Sequence, residues 1–181
     1  GIGTFVSGQS EFMLQTNLER VVGTSQLIRN KGHLPGQHGF KLSVETPPEA
    51  ITKKLQIEAG QQVLHISRIR TADGIPVILS EEHIPMELLH GISLPYEAEN
   101  CENWSIYDYL SQAGYTIDMA VTRIKSLVAD RNLAKLLDIK VNQSLLCLEQ
   151  IHFSNNHLRP VLYCVNYHND NIIDIEVIRK G

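Results

Sequence analysis

Alternation of apolar and polar residues divides much of the chain into predicted strands. The pattern is clearest over residues 63–70, because neighbouring side chains of a strand point to opposite faces of a sheet. An Ala-Asp-Gly turn and a second apolar stretch, residues 76–84, follow it and predict a β-hairpin. Five further strands are predicted at residues 38–46, 118–128, 145–153, 161–168 and 172–178.

Four other stretches have the apolar spacing and the end residues of short helices. One begins at Thr24 or Ser25 and ends before Gly32. Pro47 and Pro48 can open a second helix that runs through Leu55, because proline is tolerated in the first helical turn. The remaining two cover residues 105–113 and 129–137, and a single helical turn is predicted at residues 85–89.

The second half of the chain partly repeats the first at a constant offset. The offset that takes Leu55 to Leu137 also relates the other matched positions, which include Gln61, Leu64 and Ile66 in the first copy and Gln143, Leu146 and Leu148 in the second. A chance match is the alternative, since any helix followed by a strand shares part of this pattern. We predict an α+β fold: an internally duplicated antiparallel sheet with its helices packed on one face.

Composition narrows the class of protein. The 181 residues are 43% hydrophobic and carry a net charge of −4, which suits one folded domain and disfavours a free-standing nucleic-acid-binding domain. No run of eighteen apolar residues predicts a membrane span. Three cysteines at irregular spacing argue against a disulfide framework and favour a reducing cytoplasm.

Arg68 and Arg70 form the first candidate site. They share a strand face with Leu64 and Ile66, so the two arginine side chains start about 7 Å apart at the margin of an apolar surface. A planar guanidinium suits phosphate or carboxylate, which predicts an anion pocket. The alternative is that both arginines are solvated or pair with the glutamates at positions 81 and 82.

Ser105 begins the second candidate site. It is a suitable N-cap for the helix at residues 105–113, with Asp108 placed as in a capping box and Trp104 able to pack on Tyr109. Capping alone is the default interpretation. The sharper alternative is that Ser105 and Tyr107 also donate hydrogen bonds to an anion.

Motifs for metal binding or catalysis are lacking in the sequence. The eight histidines form no HExxH pattern, there is no CxxC pair, and no nucleophile elbow or P-loop is present. Glu81 and Glu82 are adjacent, so on a strand they point to opposite faces. We predict no metal, no cofactor and no catalytic residues.

Several motifs in order resemble one bacterial family. The start, Gly-Ile-Gly-Thr-Phe-Val, resembles the end of the winged-helix DNA-binding domain of GntR-type repressors. The rest resembles the UTRA effector-binding domain of their HutC branch. The motifs are Ile66-Ser67-Arg68-Ile69-Arg70, Ala72-Asp73-Gly74-Ile75-Pro76, Glu82-His83-Ile84-Pro85, Ser105-Ile106-Tyr107-Asp108-Tyr109-Leu110, Arg159-Pro160-Val161 with Tyr163, and the ending at 175–179.

This resemblance implies a chorismate-lyase-like fold and a cytoplasmic homodimer that binds operator DNA only through an absent N-terminal winged-helix domain. Residues 1–8 would be the remnant of the DNA-binding wing and linker, and residues 9–181 the effector domain. In relatives that sense sugar phosphates, the matching residues hold the phosphate. Those positions are Arg68, Arg70, Ser105 and Tyr107, the same four that the residue patterns select.

The chain also departs from the family pattern. Ser80 stands where many relatives carry Glu, with Glu81 beside it, and Leu162 replaces a second Glu. The resemblance therefore implies that the anion end of the pocket is kept and that the end that contacts sugar hydroxyls is altered. The weaker candidate contacts are Thr24, Ser25, Ser80, Glu81, Tyr163 and Tyr167.

The leading hypothesis is an effector-sensing and dimerisation domain for a small anionic metabolite, with a phosphorylated sugar first in line. One alternative is an enzyme of the chorismate-lyase fold that acts on a small carboxylate, since a fold does not determine a function. A second is a dimerisation module with a vestigial pocket.

Overall fold

The computed structural model describes residues 14–17, 22–96, 104–154, 157–169 and 173–176. The helices are α1 (Thr24–Asn30), α2 (Glu49–Leu55), α3 (Ile106–Gln112) and α4 (Arg131–Leu137), with a 3₁₀ turn at Met86–Leu89. The strands are β1 (Leu14–Asn17), β2 (Pro35–Glu45), β3 (Val63–Ala72), β4 (Ile75–Pro85), β5 (Ile117–Val128), β6 (Ser144–Ser154), β7 (His157–His168) and β8 (Ile173–Glu176).

Six strands form one antiparallel sheet in the order β2-β3-β4-β7-β6-β5. The β3–β4 turn is confirmed at Asp73 and Gly74, whose φ angles of 51° and 83° are the positive values that a tight hairpin turn requires. β8 confirms the strand predicted at residues 172–178, and it pairs in parallel with β1, which the sequence patterns did not predict. The predictions for residues 1–8 and for the last residues of the ending at 175–179 lie outside the described residues.

The structure confirms the internal duplication. α1 begins at Thr24 and α3 at Ile106, and β2 begins at Pro35 and β5 at Ile117. The spacing is the same in both cases, and it equals the offset found in the sequence between Leu55 and Leu137. Each half therefore contributes a helix, a strand, a helix and a hairpin. The two hairpins meet where β4 pairs with β7, at the centre of the sheet.

The predicted α+β fold is confirmed, but the placement of all helices on one face is wrong. α3 packs on Leu64 and Ile66 of β3, whereas α4 packs on Ile69 of the same strand. Even and odd residues of a strand point to opposite faces, and both sets are apolar here. The sheet therefore has a core on each side, and α2 packs on the same side as α4, against Val63.

The two described cysteines, Cys147 and Cys164, are buried and unbridged. Cys101 lies outside the described residues. No helix in the described ranges is long and apolar enough to cross a bilayer.

Candidate functional site

A cavity of about 350 Å³ lies where the starts of α1 and α3 meet the face of the sheet. Its wall includes Arg68, Arg70, Ser105 and Tyr107, the four residues predicted to hold an anion. Each half of the chain thus contributes one helix start and one hairpin to the same space.

Arg68 and Arg70 are almost fully buried in this wall, with exposed fractions of 4% and 1%. Arg68 Nη2 donates to Glu82 Oε1 at 2.8 Å, and its guanidinium lies 4.6 Å from the centre of the Trp104 ring. Arg70 donates to Ser25 Oγ. Both arginines also donate to Gln37 Oε1, at 3.1 and 3.0 Å. Two cationic groups therefore converge on one neutral oxygen.

The buried charge in this wall is not balanced. Arg68, Arg70 and Glu82 are its buried ionised groups within the described residues, which leaves a net positive charge. Burial, and then the neighbouring charge of Arg68, lower the pKa of Arg70 to about 9, so Arg70 stays protonated at neutral pH. The Nε atoms of both arginines lack a hydrogen-bond partner among the described residues. An anion in the cavity would supply the missing charge and acceptors.

Ser105 and Tyr107 lie at the start of α3. Ser105 Oγ accepts from the Asp108 N–H at 3.3 Å, and the Trp104 ring lies 5.8 Å from that of Tyr109, so the predicted cap and its apolar contact are both present. Arg68 Nη1 donates to the Trp104 carbonyl at 3.3 Å. The Tyr107 hydroxyl lies 3.3 Å from His152 Nδ1. Burial raises the pKa of Tyr107, so its phenol stays neutral.

The six weaker candidates divide into three groups. Thr24 and Ser25 line the cavity. Ser80 lies on the same sheet face but does not line the cavity, and its hydroxyl donates to Asn166 Oδ1 at 2.7 Å.

Glu81, Tyr163 and Tyr167 belong to the opposite face of the sheet, because they occupy odd positions on β4 and β7. Glu81 accepts from Ser67 at 2.8 Å, and the Tyr163 hydroxyl donates to Glu149 at 3.1 Å. Tyr167 packs with the apolar cluster under α4. The structure does not bring these three residues into the cavity.

Several wall residues were missed by sequence reasoning. Gln150, His152 and His168 line the cavity, and neither ring nitrogen of buried His168 has a hydrogen-bond partner among the described residues. Burial lowers the pKa of both histidines to about 4, so they are neutral. The internal repeat held the missing signal, because the match that pairs Ile66 with Leu148 continues along the strand to Gln150 and His152.

One group of possible metal ligands lies on the other sheet face. Glu45, His65 and His83 bring ligand atoms within 4.8 Å of one another. The two imidazole rings are stacked, with centroids 4.4 Å apart and planes inclined by 6°. Lone pairs in two parallel planes do not converge on one ion, and His65 Nε2 already contacts Glu81 at 2.7 Å. This arrangement favours an ion pair over a metal centre.

Comparison with known proteins identifies relatives for most of the chain. The UTRA domain model matches residues 31–174. The uncharacterised HTH-type transcriptional regulator YurK of Bacillus subtilis is 27% identical over 165 residues, which cover 91% of this chain and 64% of YurK. The HTH-type transcriptional regulator GgaR of Escherichia coli is 23% identical over 167 residues, covering 92% of this chain and 62% of GgaR. The chain thus spans less than two thirds of these relatives, which are named as regulators and not as enzymes.

Solved structures share the fold. The effector domain of PhnF from Mycobacterium smegmatis superimposes with a TM-score of 0.80 at 18% identity, covering 92% of this chain and 99% of that domain. A GntR-family transcriptional regulator from Enterococcus faecalis gives a TM-score of 0.67 at 21% identity, covering 80% of this chain and 99% of that one. With the family model matched from residue 31 to residue 174, the chain belongs to the UTRA domain family.

Proposed function

We propose that this chain is the effector-binding and dimerisation domain of a bacterial GntR-type regulator of the HutC branch. Its cavity binds a small anionic metabolite, with a phosphorylated sugar as the first candidate. In the complete protein, residues 1–8 join this domain to a winged-helix domain that binds operator DNA, and residues 9–181 form the sensor. The protein acts in the cytoplasm as a homodimer.

The observation that carries this proposal is the buried pair Arg68 and Arg70. Arg68 pairs with the buried Glu82 carboxylate, Arg70 has no carboxylate partner among the described residues, and both guanidinium groups donate to the uncharged Gln37 oxygen. A buried charge without a partner is costly, and an anion would relieve that cost. A volume of about 350 Å³ lies in the range of small-molecule sites.

The regulatory part of the proposal is supported by the relatives. They are named as HTH-type transcriptional regulators, and one solved neighbour is named as an effector domain. For the ligand to act as an effector, it must bind the DNA-competent and DNA-incompetent states with different affinity. A coupling of about 1–3 kcal/mol is typical of such systems.

Isothermal titration calorimetry with inorganic phosphate and with glucose 6-phosphate tests the anion site. We expect binding to the wild type and a loss of at least about tenfold in affinity for Arg70→Met, because that variant removes the unbalanced buried charge. Lys53→Met, which removes an exposed cation from α2 on the other sheet face, is the matched control. Undiminished phosphate binding by Arg70→Met would contradict the site.

A further inference from the structure

The cavity consists of two halves that the internal duplication makes equivalent. Ser25 and Tyr107 are the second residues of α1 and α3, so the repeat places them in equivalent positions. On the sheet, the same offset takes Arg68 and Arg70 of β3 to Gln150 and His152 of β6. All of these residues line the same cavity.

The pairing of the hairpins extends the equivalence to Glu82. Glu82 pairs with Ile66, and Ile66 lies two residues before Arg68 on β3. In the second half, Asn166 pairs with Leu148, and Leu148 lies two residues before Gln150 on β6. The β6–β7 pairing has register shifts near its turn. The sequence offset between equivalent residues of the two halves is therefore slightly longer on β7 than on β6. Asn166 is thus the structural counterpart of Glu82.

The contacts of the first half recur in the second half with the charges removed. Arg68 donates to Glu82 at 2.8 Å, and in the second half Asn166 Nδ2 donates to Gln150 Oε1 at 3.1 Å. Arg70 bonds to Ser25, and correspondingly His152 Nδ1 lies 3.3 Å from the Tyr107 hydroxyl. Where the first half has an ion pair, the second half has a pair of amides. The imidazole of His152 takes the place of the Arg70 guanidinium.

Apart from Asp108, the titratable groups that the described part of the second half contributes to the cavity wall are uncharged at neutral pH. Burial holds the pKa of His152 near 4 and raises the pKa of the Tyr107 phenol and the Cys164 thiol. The exposed carboxylate of Asp108 also lines the cavity and would repel a second anion. This half still offers hydrogen bonds, from amides, an imidazole and a phenol.

We propose that the cavity selects ligands with a single anionic group, which binds at Arg68 and Arg70, and an uncharged polar end, which Gln150 and His152 recognise. This inference rests on the proposed anion site and adds the chemistry of the ligand's other end. β3 and β6 are three strand spacings apart, about 14 Å. A ligand that contacts residues of both strands must therefore be elongated, as a hexose with a phosphate attached is.

Calorimetry of the wild type with inorganic phosphate, glucose 6-phosphate and glucose 1,6-bisphosphate tests this inference. We expect the bisphosphate to bind at least about tenfold more weakly than the monophosphate, because its second phosphate would enter a half whose described wall residues include no cation. Bisphosphate binding that equals or exceeds monophosphate binding would overturn the inference and leave the anion site standing. Failure of all three compounds to bind would overturn the anion site and this inference together.

A variant that restores the charges provides the converse test. Gln150→Arg/His152→Arg rebuilds the two arginines in the second half, and we expect it to shift the preference at least about tenfold toward the bisphosphate. Gln112→Arg/His90→Arg adds the same charge at exposed positions outside the cavity wall and should leave the preference unchanged. An unchanged preference in a folded Gln150→Arg/His152→Arg variant would overturn the inference. If that variant does not fold, as judged by circular dichroism, the ratio of monophosphate to bisphosphate affinity in the wild type tests the inference by itself.

Discussion

Arg68 and Arg70 point from the same strand face into the same cavity, yet their environments differ in a way that stability measurements can detect. Arg68 is paired with the buried Glu82. Arg70 is held by the neutral groups of Ser25 and Gln37. One arginine therefore balances a buried charge, while the other adds one.

Replacing each arginine by methionine should have opposite consequences for folding. Arg68→Met leaves Glu82 buried without its partner and should lower the free energy of unfolding by about 3 kcal/mol. Arg70→Met removes a poorly balanced buried cation and should leave that free energy unchanged or raise it by about 1 kcal/mol. Urea denaturation without added anion measures both, with Lys53→Met as the control. Equal destabilisation by the two substitutions would show that Arg70 is not the unbalanced charge.

The short helices of this fold depend on their caps, and two caps allow a matched comparison. Ser105 caps α3 beside the cavity, and Asp130 caps α4 on the other sheet face, where its Oδ1 accepts from the Leu133 N–H at 2.8 Å. Each substitution by alanine should lower the free energy of unfolding by about 1 kcal/mol. Only Ser105→Ala should also weaken phosphate binding in calorimetry. Equal phosphate affinity in the two variants would restrict Ser105 to its capping role.

Strand β5 is the element best placed to support the proposed homodimer. It lies at one end of the sheet order and pairs with β6. It exposes about half of the surface of Met119, Val121 and Ile124. An apolar sheet edge of this kind favours pairing with another chain.

A charge on β5 should therefore disrupt the dimer. We expect Ile124→Lys to lower the mass measured by sedimentation equilibrium from two chains toward one. Val141→Lys, at a residue that is also half exposed but lies in the turn before β6, should leave the mass unchanged. Retention of the dimer by Ile124→Lys would place the interface elsewhere.

At the scale of the whole molecule, buried neutral histidines make stability depend on pH. The folded-state pKa of His152 and of His168 is about 4, against 6.5 for an unperturbed histidine. Above pH 6.5 both histidines are neutral in the folded and the unfolded chain, so their contribution to stability is complete. Between pH 6.5 and 4 the unfolded chain binds protons that the folded chain does not, so stability falls by up to about 1.4 kcal/mol per pH unit for each histidine.

His65 acts in the opposite direction, at higher pH than His152 and His168. Its hydrogen bond to Glu81 raises its pKa, so its contribution is complete below pH 6.5 and is lost as pH rises through the folded-state pKa. We expect His168→Gln to reduce the number of protons taken up on unfolding by about one. The free energy of unfolding should then fall less steeply between pH 6.5 and 5. Denaturation at several pH values, with the exposed His38→Gln as control, measures this. A slope unchanged from wild type would mean that His168 titrates normally in the folded chain.

Local patterns in the sequence were sufficient for much of the fold. Alternation located β3 and β4, proline and glycine marked the ends of α2 and α3, and the internal repeat indicated the duplication. Whether a segment forms a strand or a helix depends mainly on residues within a few positions along the chain. The face on which each helix packs depends on distant contacts, and the apolar residues on both sides of β3 allowed either choice.

The site shows the same division. The residue types of Arg68 and Arg70, their shared face and the cap at Ser105 can be read from spacing along the chain, because strand and helix geometry fixes which neighbours share a face. The tertiary structure alone decided that Glu82 pairs with Arg68, that Glu81, Tyr163 and Tyr167 face away, and that Gln150 and His152 complete the cavity. Those outcomes depend on how β4, β7 and β6 align side by side, and strand register between segments far apart in the chain is set by the packing of the whole sheet.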